Sequence, residues 1–96
     1  MKTITEEEFK TLVNETIVVQ FSAGWCGPCK VLTKTIDQNE DKFNVPFYKI
    51  NIDDAQSLAQ ALGIRSVPTL IRFENKQETK RLVGVKPIEQ LIEISI

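Results

Sequence analysis

The chain of 96 residues contains no histidine and only two cysteines, and this scarcity restricts the metal chemistry it can carry. A structural zinc site takes four ligands, drawn mainly from cysteine and histidine. One pair of cysteines supplies two of them, so only a dimer of this chain would complete such a site. A metal centre is therefore the weaker interpretation of the cysteine pair.

Concentrated charge and long apolar runs are also missing. Twelve basic side chains nearly balance thirteen acidic ones, and no basic block of the kind that indicates nucleic-acid binding is present. No apolar run approaches the roughly 20 residues that cross a bilayer. The first residues, Met1 to Thr5 followed by three glutamates, lack the apolar core of a signal peptide. We therefore expect a cytoplasmic protein that binds neither nucleic acid nor membrane.

Length and periodicity predict one domain with the element order βαβαβαββα. Thr5 and Glu8 have the spacing of a capping box at the start of a first helix, about residues 6–14. The β-branched and aromatic run at 17–21 is typical of a strand covered on both faces. Strands that alternate with helices imply a parallel portion, and a closing hairpin adds antiparallel strands. The prediction is a mixed sheet with helices on both sides.

Capping and turn signals predict the boundaries of the middle elements. A second helix follows the cysteines and runs to about Asp41, and a strand covers about residues 45–52. Asp53 or Asp54 is the expected cap of a short third helix, which Gly63 is well placed to end.

The last third of the chain predicts a hairpin and a final helix. Strands at 69–73 and 79–83 are joined by the turn 74–77, in which Asn75 can take a positive φ. Pro87 opens the final helix, whose buried face consists of Ile88, Leu91 and Ile92.

One motif indicates a chemistry: the two cysteines stand three positions apart, in Trp25-Cys26-Gly27-Pro28-Cys29. Such a pair can close a small disulfide and open it again, which makes a reversible two-electron switch. In a chain without a secretory signal this spacing favours redox or metal chemistry over a structural disulfide. Cys26 also lies where a strand gives way to a helix, and the free N–H groups of a helix start stabilise a thiolate.

The segment from Gln20 to Lys30, QFSAGWCGPCK, resembles the active-site signature of the thioredoxin family. The resemblance continues in Lys49–Asp53, Gly63–Leu70 and Val83–Val85, in the family's order and with nearly its spacing. It covers essentially the whole chain. It implies a single thioredoxin-like domain, residues 1–96, with the α/β fold of a three-layer α/β/α sandwich: a central mixed five-stranded sheet flanked by four helices.

The resemblance also implies an activity, that of a protein-disulfide reductase and electron carrier. Cys26 attacks the disulfide of a substrate protein and Cys29 resolves the mixed disulfide. A thioredoxin reductase-like flavoprotein, drawing on NADPH, then recharges the pair, and no cofactor is bound beyond the redox-active disulfide. Gly27-Pro28 between the cysteines is similar to the reducing members of the superfamily. We expect a monomer. The alternative is a thioredoxin-fold subunit whose function is docking rather than turnover.

The same resemblance assigns substrate contacts around the cysteines. It implies a cis bond between Val67 and Pro68, facing the motif, with the Val67 backbone free to pair with an extended substrate. Trp25 would offer an apolar wall, and Gly84 would let substrate backbone approach the cysteines. The alternatives are that Trp25 is only a half-buried surface aromatic and that Gly84 is an ordinary turn or bulge glycine.

Three positions depart from the family pattern. Gln20 stands where thioredoxins usually carry a buried aspartate, which, with a lysine matching Lys49, is thought to help deprotonate the inner cysteine. A glutamine cannot take that proton, so we expect slower resolution by Cys29, unless Gln20 only satisfies a buried polar position. Ser22 replaces a second tryptophan, and Lys34 replaces a proline that usually kinks the second helix.

Overall fold

The structure is a computed structural model that describes all of residues 1–96. Five strands are formed: β1 (Lys2–Thr3), β2 (Ile17–Ser22), β3 (Phe47–Asn51), β4 (Thr69–Glu74) and β5 (Gln77–Val83). Four α-helices accompany them: α1 (Glu6–Leu12), α2 (Gly27–Asp37), α3 (Gln56–Ala61) and α4 (Ile88–Ile94). Two short 3₁₀ turns cover Glu40–Lys42 and Ile52–Asp54. No helix has both the length and the apolar character required to span a bilayer.

The strands form one mixed sheet in the order β1-β3-β2-β4-β5. β1, β3 and β2 are parallel, β4 is antiparallel to β2, and β5 is antiparallel to β4. The predicted five-stranded mixed sheet is therefore confirmed. β2 is the central strand, and all six of its residues are buried.

Helices cover both faces of this sheet, as the nearly continuous β-branched and aromatic run of β2 predicts. Ile17, Val19 and Phe21 belong to a core cluster with Phe9 of α1, and Leu58 of α3 packs against it. The residues between them point to the opposite face. There, the second core cluster joins strands and helices through Val18, Phe47, Leu70, Leu32, Ile36, Leu91 and Ile94. The three-layer sandwich is confirmed, and Gln20 and Ser22 lie on the face covered by α2.

The capping box predicted for α1 is present. The Glu8 N–H donates to Thr5 Oγ1 at 3.1 Å, and the Thr5 N–H donates to Glu8 Oε1 at 3.0 Å. The second of these bonds, with a contact from Lys2, lowers the pKa of Glu8 below its ordinary value. α1 ends earlier than predicted because the Asn14 N–H donates to the Thr11 carbonyl, three residues back, and so no longer follows the α-helical pattern.

α2 is shorter than predicted but continuous through Lys34, where no proline interrupts it. It ends at Asp37 rather than near Asp41, because Asn39 leaves the helical region at φ −132° and a separate 3₁₀ turn follows. β3 begins at Phe47 rather than at residue 45, since Pro46 has no N–H to donate to the sheet.

The predicted cap of the third helix is wrong. The Asp53 N–H donates to the side chain of Asn51 at 2.9 Å, so both Asp53 and Asp54 lie inside a 3₁₀ turn that Asn51 caps. α3 begins only at Gln56 and has no side-chain cap.

Gly63 ends α3 as predicted. It has φ 69°, and its N–H donates to the Gln60 carbonyl at 3.1 Å. The next N–H, of Ile64, reaches the Ala59 carbonyl at 2.9 Å. This pair of bonds is the Schellman motif, in which a left-handed residue satisfies the last helical carbonyls.

The hairpin turn is tighter than predicted. Glu74 pairs with Gln77, so β5 starts two residues earlier than expected, and only Asn75 and Lys76 form the turn. Both have positive φ, 54° and 71°, the geometry that matches the twist of a two-residue hairpin. The positive φ of Asn75 is confirmed, while that of Lys76 was not predicted.

The final helix begins directly after Pro87, as predicted. Its buried residues are Leu91 and Ile94, with Ile88 and Ile92 only partly covered. The predicted buried face of this helix is therefore confirmed at Leu91, but Ile94 rather than Ile92 is the second buried residue.

Candidate active site

The two cysteines lie at the start of α2 and are joined as a disulfide. Cys26 is the N-cap residue, Cys29 is in the first turn, and their Cα atoms are 5.3 Å apart. The Cys29 N–H donates to Cys26 Sγ at 3.1 Å. Because the first N–H groups of a helix have no carbonyl partner inside it, the outer sulfur occupies the place that a capping oxygen usually takes. Cys29 is 1% exposed and Cys26 is 4% exposed.

The sheet brings two further loops to this point. β4 starts beside the end of β2, where Phe21 pairs with Thr69, and β5 ends beside the start of β4, where Thr69 pairs with Val83. The segments after β2, before β4 and after β5 therefore share one edge of the molecule. Val67 thus meets the cysteines, and Gly84 lies beside the Val67-Pro68 pair through its bond to the Pro68 carbonyl.

Val67 and Pro68 face the disulfide. Their peptide bond is cis, and the Val67 carbonyl oxygen lies 3.8 Å from Cys26 Sγ. The Val67 side chain packs against the small cluster that holds both cysteines. No hydrogen bond within the chain uses the Val67 N–H. One backbone donor beside the disulfide is therefore open to another molecule.

Gly84 adjoins this loop through its backbone. Its N–H donates to the Pro68 carbonyl at 2.8 Å, and its φ is 92°, a conformation that side chains strongly disfavour. A Cβ at this position would meet no atom within 4 Å. The glycine is thus required by its backbone conformation, not by close packing within the chain.

Exposed apolar side chains border the disulfide. Trp25 is 71% exposed, more than the half-buried alternative expected, and Val83 and Val85 on either side of Gly84 are also exposed. Exposed apolar side chains that gather around a reactive group are typical of a surface that meets another protein. Gly27 and Pro28 are exposed as well, between the cysteines.

Gln20 is fully buried behind the disulfide, and its side chain does not bind a sulfur. Its Nε2 donates to the Cys29 carbonyl at 3.2 Å and to Thr33 Oγ1 at 3.1 Å. Thr33 in turn can donate to Gln20 Oε1 at 3.3 Å. Thr33 was not identified from the sequence, although its position one helical turn after Cys29 was the available signal.

Lys49 lies next to Gln20 on the neighbouring strand and on the same face of the sheet, because the two residues are paired in parallel register. No hydrogen bond joins them. Lys49 instead lines a hollow between α2 and the sheet, together with Ser22, Thr33 and Lys34. No group of three or more histidine, cysteine or carboxylate side chains is placed to hold a metal ion.

The site combines a cysteine pair at the start of a helix with a loop that contains a cis proline, and both lie on a mixed five-stranded sheet. This arrangement defines a thiol–disulfide site on a thioredoxin-like fold. The family model of thioredoxin matches residues 1–95. The thioredoxin of Mycoplasma genitalium is 39% identical over 93% of this chain and 86% of its own length. That of Chlamydia caviae is 38% identical over 98% of this chain and 94% of its own length.

Solved structures agree with this assignment. The Malassezia sympodialis thioredoxin superposes with a TM-score of 0.85 at 31% identity, over 98% of this chain and 87% of that one. The chain belongs to the thioredoxin family. It is a dithiol–disulfide oxidoreductase, and family members act as protein-disulfide reductases.

Proposed function

We propose that the chain reduces protein disulfides in two exchanges, with Cys26 as the attacking thiol and Cys29 as the resolving thiol. The Cys26 thiolate forms a bond to one substrate sulfur and releases the other as a thiolate. Cys29, after losing its proton, then attacks Cys26 Sγ and releases the second substrate sulfur. The substrate gains two electrons and two protons, and the Cys26–Cys29 disulfide carries the oxidation.

The observation that carries this assignment is the bond from the Cys29 N–H to Cys26 Sγ. In the dithiol form the same N–H and the positive end of α2 would stabilise a thiolate on the outer sulfur. Cys29 is the less exposed of the two and lies inside the helix, whereas Cys26 is its N-cap, so Cys26 is proposed as the sulfur that a substrate disulfide reaches first. Because Cys29 is held beside it, the second exchange is intramolecular and has a high effective concentration.

The substrate is proposed to bind as an extended segment along the Val67 backbone. The unused Val67 N–H supports this role, since a strand added at a sheet edge pairs through backbone groups. Trp25 would cover one side of the segment, and the bare backbone of Gly84 would leave room on the other. Exposure of Trp25 and the open space beside Gly84 support these contacts.

Four residues are proposed to tune the pair rather than to react. Gly27 and Pro28 set the spacing and the helix start between the cysteines. Gln20 holds the carbonyl of Cys29 and so positions the inner thiol, without offering a base. Lys49 is the proposed source of positive charge on the same face.

The wider cycle follows from family membership and is likewise a proposal. A thioredoxin reductase-like flavoprotein would return the disulfide to the dithiol with electrons from NADPH. The chain would act as a monomeric, single-domain electron carrier in the cytoplasm, contributing to cell redox homeostasis and passing electrons to disulfide-containing proteins. The alternative of a docking subunit without turnover is not favoured by the comparisons.

A trapping experiment tests the division of roles. With Cys29→Ser, the mixed disulfide on Cys26 cannot be resolved, so substrate proteins should stay covalently attached and be released by dithiothreitol. The Cys26→Ser/Cys29→Ser variant is the matched control and should trap nothing. If Cys26→Ser with Cys29 intact traps as much as Cys29→Ser, the roles are reversed. If wild-type protein fails to reduce insulin, turnover is not its function.

A further inference from the structure

A hollow of about 550 Å³ lies between α2 and the sheet, behind the disulfide. Its floor is formed by side chains of adjacent strands on the α2 face, including Thr3, Ser22, Lys49 and Asn51. Its wall is the exposed side of α2. The volume falls within the range of sites that hold small molecules, roughly 300–1,000 Å³.

The lining of the hollow is strongly cationic. Lys30 and Lys34 are one turn apart on α2 and so share a face, and Lys49 projects from the strand opposite. None of the three takes part in a salt bridge. Asp37 is the single carboxylate of the lining, and it is already engaged by the Met1 ammonium at 2.6 Å. Even with Asp37 counted in full, the lysines leave an excess of two positive charges.

Ser22 adds a polar group to the floor of the hollow. The residue is 7% exposed and is part of the lining. Every side-chain nitrogen or oxygen sealed from solvent has a hydrogen-bond partner within the chain, and the Ser22 hydroxyl has none, so this hydroxyl is open to solvent. It can therefore donate a hydrogen bond to a ligand in the hollow.

The polar groups of the lining indicate the class of ligand. Ala23 is the only hydrophobic residue, so the apolar contacts that the hollow offers come mainly from the aliphatic parts of polar side chains. Ammonium groups and hydroxyls are donors that suit phosphate oxygens, with lysine acting as a point charge. Three separate ammonium groups favour a ligand that carries more than one negative charge.

We propose that this hollow binds a small molecule through a diphosphate group, either inorganic diphosphate or the diphosphate of a nucleotide. Lys34 and Lys30 contact the phosphates from the helix side, and Lys49 and Ser22 contact them from the sheet. The site is separate from the substrate surface at Val67 and requires no redox step.

The test is isothermal titration of the full, oxidised chain with pyrophosphate, and in parallel with ADP, without divalent ions and at about 0.15 M salt. Lys34→Gln should weaken binding about tenfold, the loss of one charge-assisted contact. Lys42→Gln, an exposed lysine outside the hollow, is the matched control and should leave affinity within roughly twofold. If ADP binds more tightly than pyrophosphate, the ligand of the hollow is a nucleotide. If the two bind equally, the diphosphate group alone accounts for binding.

A second variant separates the site from general surface charge. Ser22→Trp fills the hollow without changing any charge and should abolish binding. If the larger side chain disturbs folding, Ser22→Ala is the milder change to use. Equal losses of affinity in Lys34→Gln and Lys42→Gln would overturn the proposal. It would also be overturned if millimolar ligand produced no heat of binding, or if citrate bound more tightly than pyrophosphate. Because the titration uses the disulfide form, its failure leaves the reductase assignment untouched.

Discussion

Replacing Gln20 by aspartate tests how the buried polar position controls the inner thiol. In the structure Gln20 is closed off from solvent and binds the carbonyl of Cys29 and the hydroxyl of Thr33. The substitution supplies a group that can accept the Cys29 proton, and it removes the amide donor. Gln20→Asn has the same shape as the aspartate but cannot ionise, which makes it the matched control.

We expect Gln20→Asp to resolve the mixed disulfide about tenfold faster than Gln20→Asn. A directly positioned general base contributes at least about 100-fold. The gain should be smaller here, because the Gln20 side chain reaches the Cys29 carbonyl and not its sulfur, and the introduced side chain is one methylene shorter. The proton would therefore pass through a water molecule.

The same substitution should make stability depend on pH. Burial disfavours the ionised form, so the pKa of the introduced carboxyl is raised in the folded state above its unfolded value of about 3.9. Below that value the carboxyl is protonated in both states and no penalty applies. As the pH rises, the unfolded chain ionises first and unfolding is favoured by up to about 1.4 kcal/mol per pH unit. An unpaired buried charge costs about 3–5 kcal/mol in total, which sets the upper limit.

Two measurements check this reasoning. Single-turnover reduction of a model disulfide at pH 6 to 8 compares the rates, and urea unfolding at pH 5 and pH 8 compares the stabilities of the two variants. Equal rates for Gln20→Asp and Gln20→Asn across that range would refute the role of a missing base. A stability difference that does not grow with pH would show that the position is less buried than the structure places it.

Three further predictions concern the fold. Leu32→Ala removes a fully buried side chain and should lower the free energy of unfolding, measured by urea denaturation, by about 2–5 kcal/mol. Val31→Ala, on the exposed side of the same helix, is the control and should change that free energy by less than about 0.5 kcal/mol. Gly63→Ala forces a side chain into φ 69° and should cost about 1 kcal/mol, while Gly24→Ala, equally uncrowded but without a positive φ, should not destabilise. The lowered pKa of Glu8 means that its stabilising effect is present above its unfolded pKa and is lost as pH falls through the folded value. Melting temperatures between pH 6 and 3 should therefore fall less steeply in Glu8→Gln than in the wild type, and identical slopes would contradict that.

Most elements could be predicted because their signals are local. The capping box at Thr5, the nearly continuous apolar run of β2 and the glycine that ends α3 at position 63 each act through neighbours within a few residues, so they can be predicted from the sequence. Element ends were less predictable. Asp53 has a side chain of the type that caps helices, but so does Asn51, two residues earlier. The Asp53 N–H donates to the Asn51 side chain, and the third helix begins only at Gln56.

The sequence alone determined the redox pair, because two cysteines three positions apart at a helix start need no long-range contact to find each other. It also determined the family, because the matching segments between Gln20 and Val85 stand in the family's order along the chain. Only the tertiary structure decided what surrounds them. Strand pairing brought Val67 within 3.8 Å of Cys26 Sγ, and helix packing turned Gln20 toward Thr33 and the Cys29 carbonyl. It also gathered Lys30, Lys34 and Lys49 around one hollow. Such contacts depend on register and on which face a helix covers, and both are settled by the packing of the whole core.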